Sequence, residues 1–190
     1  MSKINYFAYG SNMSEPRLIS RVPSATKINI AKIEKYKLSF NKKSIDGSGK
    51  ANAYYTGEAN DSITGVIFSL DKEDKIKLDN EEKGYTPCTI SIDGFGDVYL
   101  YVANDANIDN SLKPYDWYLF HLKFGAINTF DIEDINCIKE QLVLDLEEHN
   151  KRKYKQGLDE CVNIYLKTSM SSEINYDFNT LKEIQKNWED

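Results

Sequence analysis

Along the first hundred residues, apolar and polar positions alternate in short runs with a period of two, the pattern of half-buried strands. An apolar run over residues 4–9 reads as a strand and ends directly on Gly10-Ser11-Asn12. Ser14, as N-cap, and Pro16, in a first turn, open a helix over residues 14–21. After the connector Val22-Pro23-Ser24-Ala25, residues 26–43 read as two strands or one long bent one. Ile28, Ile30, Tyr36, Leu38 and Phe40 all fall at even positions there, which predicts one shared buried face. Asp46-Gly47-Ser48-Gly49 is a turn. Strands follow over residues 51–55 and 63–70, joined by a polar turn at 58–62. A helix over residues 72–82 stops at Gly84, since glycine just past the last turn is a common C-terminal stop. Residues 86–92 and 97–103 form a hairpin across Asp93-Gly94-Phe95-Gly96, with Tyr99 and Tyr101 on one face.

From Pro114 the period changes to that of helices. Residues 114–124 are aromatic and read as helical. Residues 132–150 carry Ile135, Ile138, Leu142 and Leu146 on one stripe, and two more helical stretches span 158–168 and 177–188. Strands first and helices last predict an α+β domain with a twisted or barrel-like sheet. The expected organisation is a domain over residues 1–150 with a helical extension, 151–190, packed on it.

Composition narrows the function. At 190 residues, 41% hydrophobic and 28% charged, the chain is an ordinary globular one with room for a core. A net charge of -6 argues against nucleic acid as a partner, which calls for a basic face. No apolar run reaches the length of a membrane span, and no apolar leader precedes Tyr6, so no membrane partner is expected. Three scattered cysteines, Cys88, Cys137 and Cys161, are no disulfide framework, and a reducing cytoplasm is the simplest setting. With only His121 and His149 and no Cys-x-x-Cys, no zinc site is expected.

Several motifs invite chemistry and most decline it. Gly47-Ser48-Gly49-Lys50 is not a phosphate loop: Ser44 and Ala51 stand where that pattern needs Gly and Ser or Thr. Cys88 and His121 have no third residue to orient them as nucleophile and base. The run Lys151-Arg152-Lys153 reads as a solvated helix end. The Gly10 loop is different. A strand that breaks into Gly-Ser-Asn and then a helix aims backbone N–H groups at one spot, where an anion or a polarised carbonyl can sit. Gly10 is expected to adopt a backbone conformation closed to other residues and to let a ligand approach closely. An ordinary strand-to-helix turn has the same composition.

Glu82 is the second. On a helix it lies four residues from Leu78, an inward-facing type, and so shares its face. Partial burial and the negative helix end both favour the protonated carboxyl, as a group that must accept and return a proton near neutral pH requires. An exposed helix-end carboxylate fits the spacing as well, and Glu81 and Asp79 are rivals.

Together the two motifs resemble the γ-glutamylcyclotransferase family. The likeness runs from about Tyr6 to Ala126. It takes in Tyr9-Gly10-Ser11-Asn12, Pro23-Ser24-Ala25, Tyr36-Lys37-Leu38-Ser39-Phe40, Gly49-Lys50-Ala51-Asn52-Ala53 and Thr64-Gly65-Val66-Ile67. Leu78-Asp79-x-x-Glu82 with Gly84-Tyr85, then Tyr101, Tyr118 and Gly125-Ala126, complete it. The resemblance implies a mixed sheet closed into a small barrel with surrounding helices. It implies conversion of a γ-glutamyl amino acid or amine to 5-oxoproline and the free amine, without cofactor or metal. It assigns catalysis to Glu82 and substrate binding to Tyr6, Phe7, Ala8, Tyr9, Gly10, Ser11, Asn12 and Tyr101. The expected partner is a small γ-glutamyl molecule, with a homodimer as the candidate assembly. Lys83, between Glu82 and Gly84, and the length beyond residue 150 depart from the family pattern. The glutathione-specific branch's Trp-x-Phe-Gly-Tyr-Gly-Ser-Leu is absent, which makes glutathione the lesser candidate. A binding module on the same fold without turnover is the alternative.

Overall fold

The computed structural model describes residues 2–115 together with Tyr118, His121 and Leu122. Strand β1 (Lys3–Ala8) runs into a single 3-10 turn, Ser11–Met13, and then helix α1 (Glu15–Arg21). Strands β2 (Thr26–Glu34), β3 (Tyr36–Lys43), β4 (Gly49–Tyr55) and β5 (Ser62–Asp71) follow. Helix α2 (Lys72–Glu81) leads into the hairpin of β6 (Tyr85–Ile92) and β7 (Gly96–Ala103). The expected α+β class is what the chain adopts. The helices expected over 132–150, 158–168 and 177–188, and the extension 151–190, lie outside the described residues.

Five strands form one mixed sheet in the order β2-β5-β1-β7-β6, and β3-β4 form a separate ribbon. Strand β1 is central, antiparallel to β5 and parallel to β7, where Tyr6 sits opposite Tyr99. The central position explains its run of fully or nearly buried residues, Tyr6 to Ala8. The expected closed barrel is not formed: no ladder joins the edges β2 and β6 among the described residues. The ribbon instead leans on the sheet through side chains. Asn52 Oδ1 accepts the amide of Ala103 (2.9 Å), and the Tyr85 hydroxyl donates to the Ala51 carbonyl (2.7 Å).

One face assignment is corrected. Ile28 and Ile30 are 44% and 40% exposed, whereas Phe40 is buried as expected. A register shift between Lys27 and Asn29 interrupts the alternation in β2, and Ile33, at an odd position, turns inward. The chain then turns at Lys35, in the left-handed region at φ 68°, and even positions face the core again in β3. The five even positions therefore belong to two strands of opposite parity.

Candidate active site

The Gly10 loop and the end of α2 meet across the sheet. The cavity between them is walled by Tyr6, Tyr9, Tyr85, Tyr101 and Tyr118, by Gly10-Ser11-Asn12, and by Ala51 and Glu82. Strand β1 supplies Tyr6 and the loop that follows, β7 supplies Tyr101, and β4 supplies Ala51. The interior space is only about 30 Å³, room for about one water.

Glu82 closes the last turn of α2: its amide donates to the Leu78 carbonyl (3.0 Å). That bond keeps it on the face of Leu78, which is fully buried. Gly84, at φ 81°, then turns the chain into β6, a conformation that glycine takes without strain. Lys83 is accommodated there as an exposed residue. The Glu82 side chain is 16% exposed, whereas Glu81 faces solvent. Asp79 is also exposed and is held by Lys75 (2.7 Å).

Asn12 is the hub. Its Nδ2 donates to Glu82 Oε1 (2.9 Å) and to the Tyr6 hydroxyl oxygen (3.1 Å). A carboxylate only accepts, so the amide must present its NH₂ to Glu82. Its Oδ1 then faces Arg21 Nη1 at 3.5 Å, and the same Nη1 lies 3.5 Å from Glu82 Oε1.

The other predicted residues divide. Tyr6, Tyr9, Gly10, Ser11, Asn12 and Tyr101 share the cavity wall with Glu82; Phe7 and Ala8 do not. Phe7 alternates to the opposite face of β1, where its ring meets Gly65, and Ala8 is fully buried beside the same glycine. Tyr101 lines the cavity, but its hydroxyl donates to Asp79 Oδ1 (2.5 Å). Burial, and then the bond to Asp79, push its pKa far above the ordinary tyrosine value. Tyr6 stacks on Tyr99 with ring centroids 5.0 Å apart, and burial holds the Tyr6 phenol protonated far above its ordinary range.

Gly10 differs from expectation in its reason. Its φ of -112° is open to other residues. What it supplies is space: a Cβ would lie 3.1 Å from Ala51 Cβ and 3.2 Å from the Tyr118 hydroxyl. That hydroxyl accepts the Ala51 amide (3.0 Å), so β1, β4 and residue 118 converge there.

His121, weighed earlier as a base for Cys88, is buried against Arg17 Nη1 (3.1 Å). Burial, with Arg17, Arg21 and Lys50, holds its pKa well below the ordinary value, so it stays neutral. Arg21 is a residue that sequence reasoning passed over. Arg21 reads in sequence as a helix-end cation, and nothing local ties it to a residue sixty positions on. A larger groove of about 650 Å³ lies between the two sheet edges, lined by β2 and the β6 end. It gathers no comparable set of proton-transfer groups: its carboxylates, Glu34 and Asp93, are on exposed residues. Among the described residues no cluster suited to a metal ion occurs, and no helix is long and apolar enough to cross a membrane.

No family model matches the chain. Over 84 residues it is 31% identical to the γ-glutamylcyclotransferase of Bos taurus, and equally to that of Homo sapiens. The match takes in 40% of this chain and 43% of each relative, so it spans less than half the length of these curated relatives. A solved γ-glutamyl cyclotransferase superposes with a TM-score of 0.63 at 21% identity, covering 82% of this chain and 99% of that one. YkqA from Bacillus subtilis superposes with a TM-score of 0.61 at 19% identity, over 74% of this chain and 54% of that one. At such identities the structural likeness is one of fold.

Proposed function

We propose that the chain is an enzyme of the γ-glutamylcyclotransferase type, the name borne by its partial sequence relatives and by a solved protein of the same fold. It converts a γ-glutamyl amino acid or amine to 5-oxoproline and the free amine. The observation that carries this reading is the carboxylate of Glu82 in a tyrosine-walled cavity, held by Asn12 at 2.9 Å and facing the Gly10 loop.

The chemistry asks little beyond proximity and one proton shuttle. The glutamyl α-ammonium gives a proton to the Glu82 carboxylate. The free amine attacks the γ-carbonyl and closes a five-membered ring, and the carbonyl π-pair moves onto oxygen. As the carbonyl re-forms, the C–N bond to the leaving group breaks and Glu82 returns its proton to the departing nitrogen; the ring nitrogen then gives up its second proton through the same carboxylate, leaving a neutral lactam and the released amine as its ammonium. Folding the substrate so that amine and carbonyl meet removes much of the barrier, since oriented intramolecular attack is worth several kcal/mol. The loop around Ser11 and Asn12 offers backbone N–H groups to the glutamyl carboxylate or to the developing oxyanion. The arriving α-ammonium takes over from Arg21 as the cation beside Glu82. The tyrosine rings must turn outward to admit it, because about 30 Å³ does not hold a glutamyl group.

The test is incubation with γ-glutamyl amino acids, γ-glutamyl amines and glutathione, with products identified by mass. The expected product is 5-oxoproline. Glutamate instead would make the protein a hydrolase, and unchanged substrate across the panel would make it a binding module.

A further inference from the structure

Each tyrosine of the cavity wall has its hydroxyl tied down, and the ties differ in kind. The Tyr9 hydroxyl donates to the Tyr101 carbonyl, and the Tyr85 hydroxyl donates to the Ala51 carbonyl (2.7 Å). The Tyr118 hydroxyl accepts the Ala51 amide (3.0 Å), and the Tyr6 hydroxyl accepts Asn12 Nδ2 (3.1 Å). Those partners are backbone groups of β4 and β7 or, in Asn12, a side chain on a residue only 5% exposed. Tyr101 is tied to the surface instead. Its hydroxyl donates to Asp79 Oδ1 at 2.5 Å, and the Asp79 side chain is 38% exposed. Lys75, one turn earlier on α2, holds both carboxylate oxygens of Asp79 at 2.7 Å. The same ammonium stands 5.0 Å from the Tyr99 ring centroid.

A bond anchored in the sheet breaks only if a strand moves. A bond to a surface carboxylate can be exchanged for water by rotating one side chain, because that carboxylate is already partly solvated. The closed cavity holds about one water, so part of its wall has to move before a ligand enters. Tyr101 can do so without disturbing the backbone, which the Tyr9 hydroxyl pins through the Tyr101 carbonyl. Its neighbour favours the movement. The Tyr99 ring meets that of Tyr101 edge-on at 5.7 Å, and the Tyr99 hydroxyl is buried with no partner at bonding geometry among the described residues. An unsatisfied buried hydroxyl burdens the closed wall, and swinging the Tyr101 ring away opens it to water.

We propose that Asp79 is a positioning residue that latches the closed wall through the Tyr101 hydroxyl, and that ligand enters on the Tyr101 side. The inference rests on the cyclotransferase reading for the identity of what enters. A protein whose binding-competent form is a minor one binds more weakly by that fraction. Releasing the latch therefore raises the open population and tightens binding, the reverse of what loss of a merely structural contact does.

The experiment measures opening directly. Ser11, in the cavity wall, is changed to Cys, and alkylation of that thiol by iodoacetamide is timed and located by peptide mass. Asp79→Ala is expected to speed alkylation about three- to tenfold, the size of a charge-assisted bond weakened by partial exposure. Tyr101→Phe keeps the ring and lacks the hydroxyl. It should speed alkylation equally, and the two changes together no further than either alone. Asp79→Asn keeps an acceptor and should stay near the starting rate. An unchanged rate in Asp79→Ala or Tyr101→Phe overturns the latch, and so do effects of the two that multiply. This arm uses no substrate, so it decides the latch even if the wild type releases no 5-oxoproline, the outcome that defeats the cyclotransferase reading. With a γ-glutamyl substrate, Asp79→Ala should lower KM by the same factor with kcat kept. A raised KM overturns the proposal, because the bond would then belong to the substrate-bound wall. Thermal melts show each variant to be folded at the temperature of the assay.

Discussion

Replacing Asn12 with Ala separates the proposed catalytic role of Glu82 from its mere presence. The substitution removes the 2.9 Å bond to Glu82 Oε1, the 3.1 Å bond to the Tyr6 hydroxyl and the acceptor for Arg21. Glu82 keeps its carboxylate and the Arg21 contact at 3.5 Å, but loses the one donor at bonding distance among the described residues. A hydrogen bond to a charged group is worth about 1.5–3 kcal/mol. If that bond holds Glu82 against the reacting nitrogen, kcat should fall by about one to two decades, at about 1.4 kcal/mol per decade. Stability should fall as well, by about 1–3 kcal/mol, because Asn12 is 5% exposed and its partners are left wanting. For a chain of this size that is a drop in Tm of a few degrees. The assay is 5-oxoproline release by mass at saturating substrate, on a variant shown by its melt to be folded at the assay temperature. Wild-type kcat in folded Asn12→Ala would refute the view that this bond positions Glu82. A loss confined to KM would return Asn12 to the substrate-binding role that its sequence suggests.

Glu82→Gln should lower kcat by about two to four decades with KM nearly kept, since the amide cannot accept the proton; equal activity to wild type would dismiss Glu82. Glu81→Gln, on an exposed neighbour, should change turnover less than twofold or so in the same assay. Gly10→Val should cost about 1–3 kcal/mol by overpacking against Ala51 and the Tyr118 hydroxyl and should weaken ligand binding by calorimetry; unchanged affinity would remove the loop from the site. At the ribbon's turn, burial pushes the Asp46 carboxyl up, but Lys50 and the Ser48 N–H and hydroxyl outweigh it and hold the pKa at about 2, against an ordinary 3.8. The folded pKa is depressed, so the stability it contributes is present above about pH 4 and lost between there and about pH 2. Asp46→Asn should remove about 1–2 kcal/mol of that acid dependence in denaturant melts, and an unaltered acid limb would refute the pairing.

The chain announces the site more clearly than the sheet around it, for reasons traceable to particular residues. Glu82 and Leu78 are legible because a helix turns four-residue spacing into a shared face, and a face is a local property. The Gly10 loop is legible as a loop, but not its reason, because the atoms that crowd Gly10 come from Ala51 and Tyr118. Ile28 and Ile30 mislead because a period-two pattern is inverted by a single extra residue, and the shift at Lys27–Asn29 leaves no mark in composition. Closure of the barrel depends on whether β2 meets β6, a contact between strands some sixty residues apart that no local pattern encodes. Arg21 is invisible for the same reason. It reads as a cation at a helix end and acquires its meaning only from the Glu82 carboxylate that the fold brings to it. The two short motifs bring a carboxylate and a loop to one cavity, whereas the cation beside that carboxylate comes from a helix whose own sequence does not mark it.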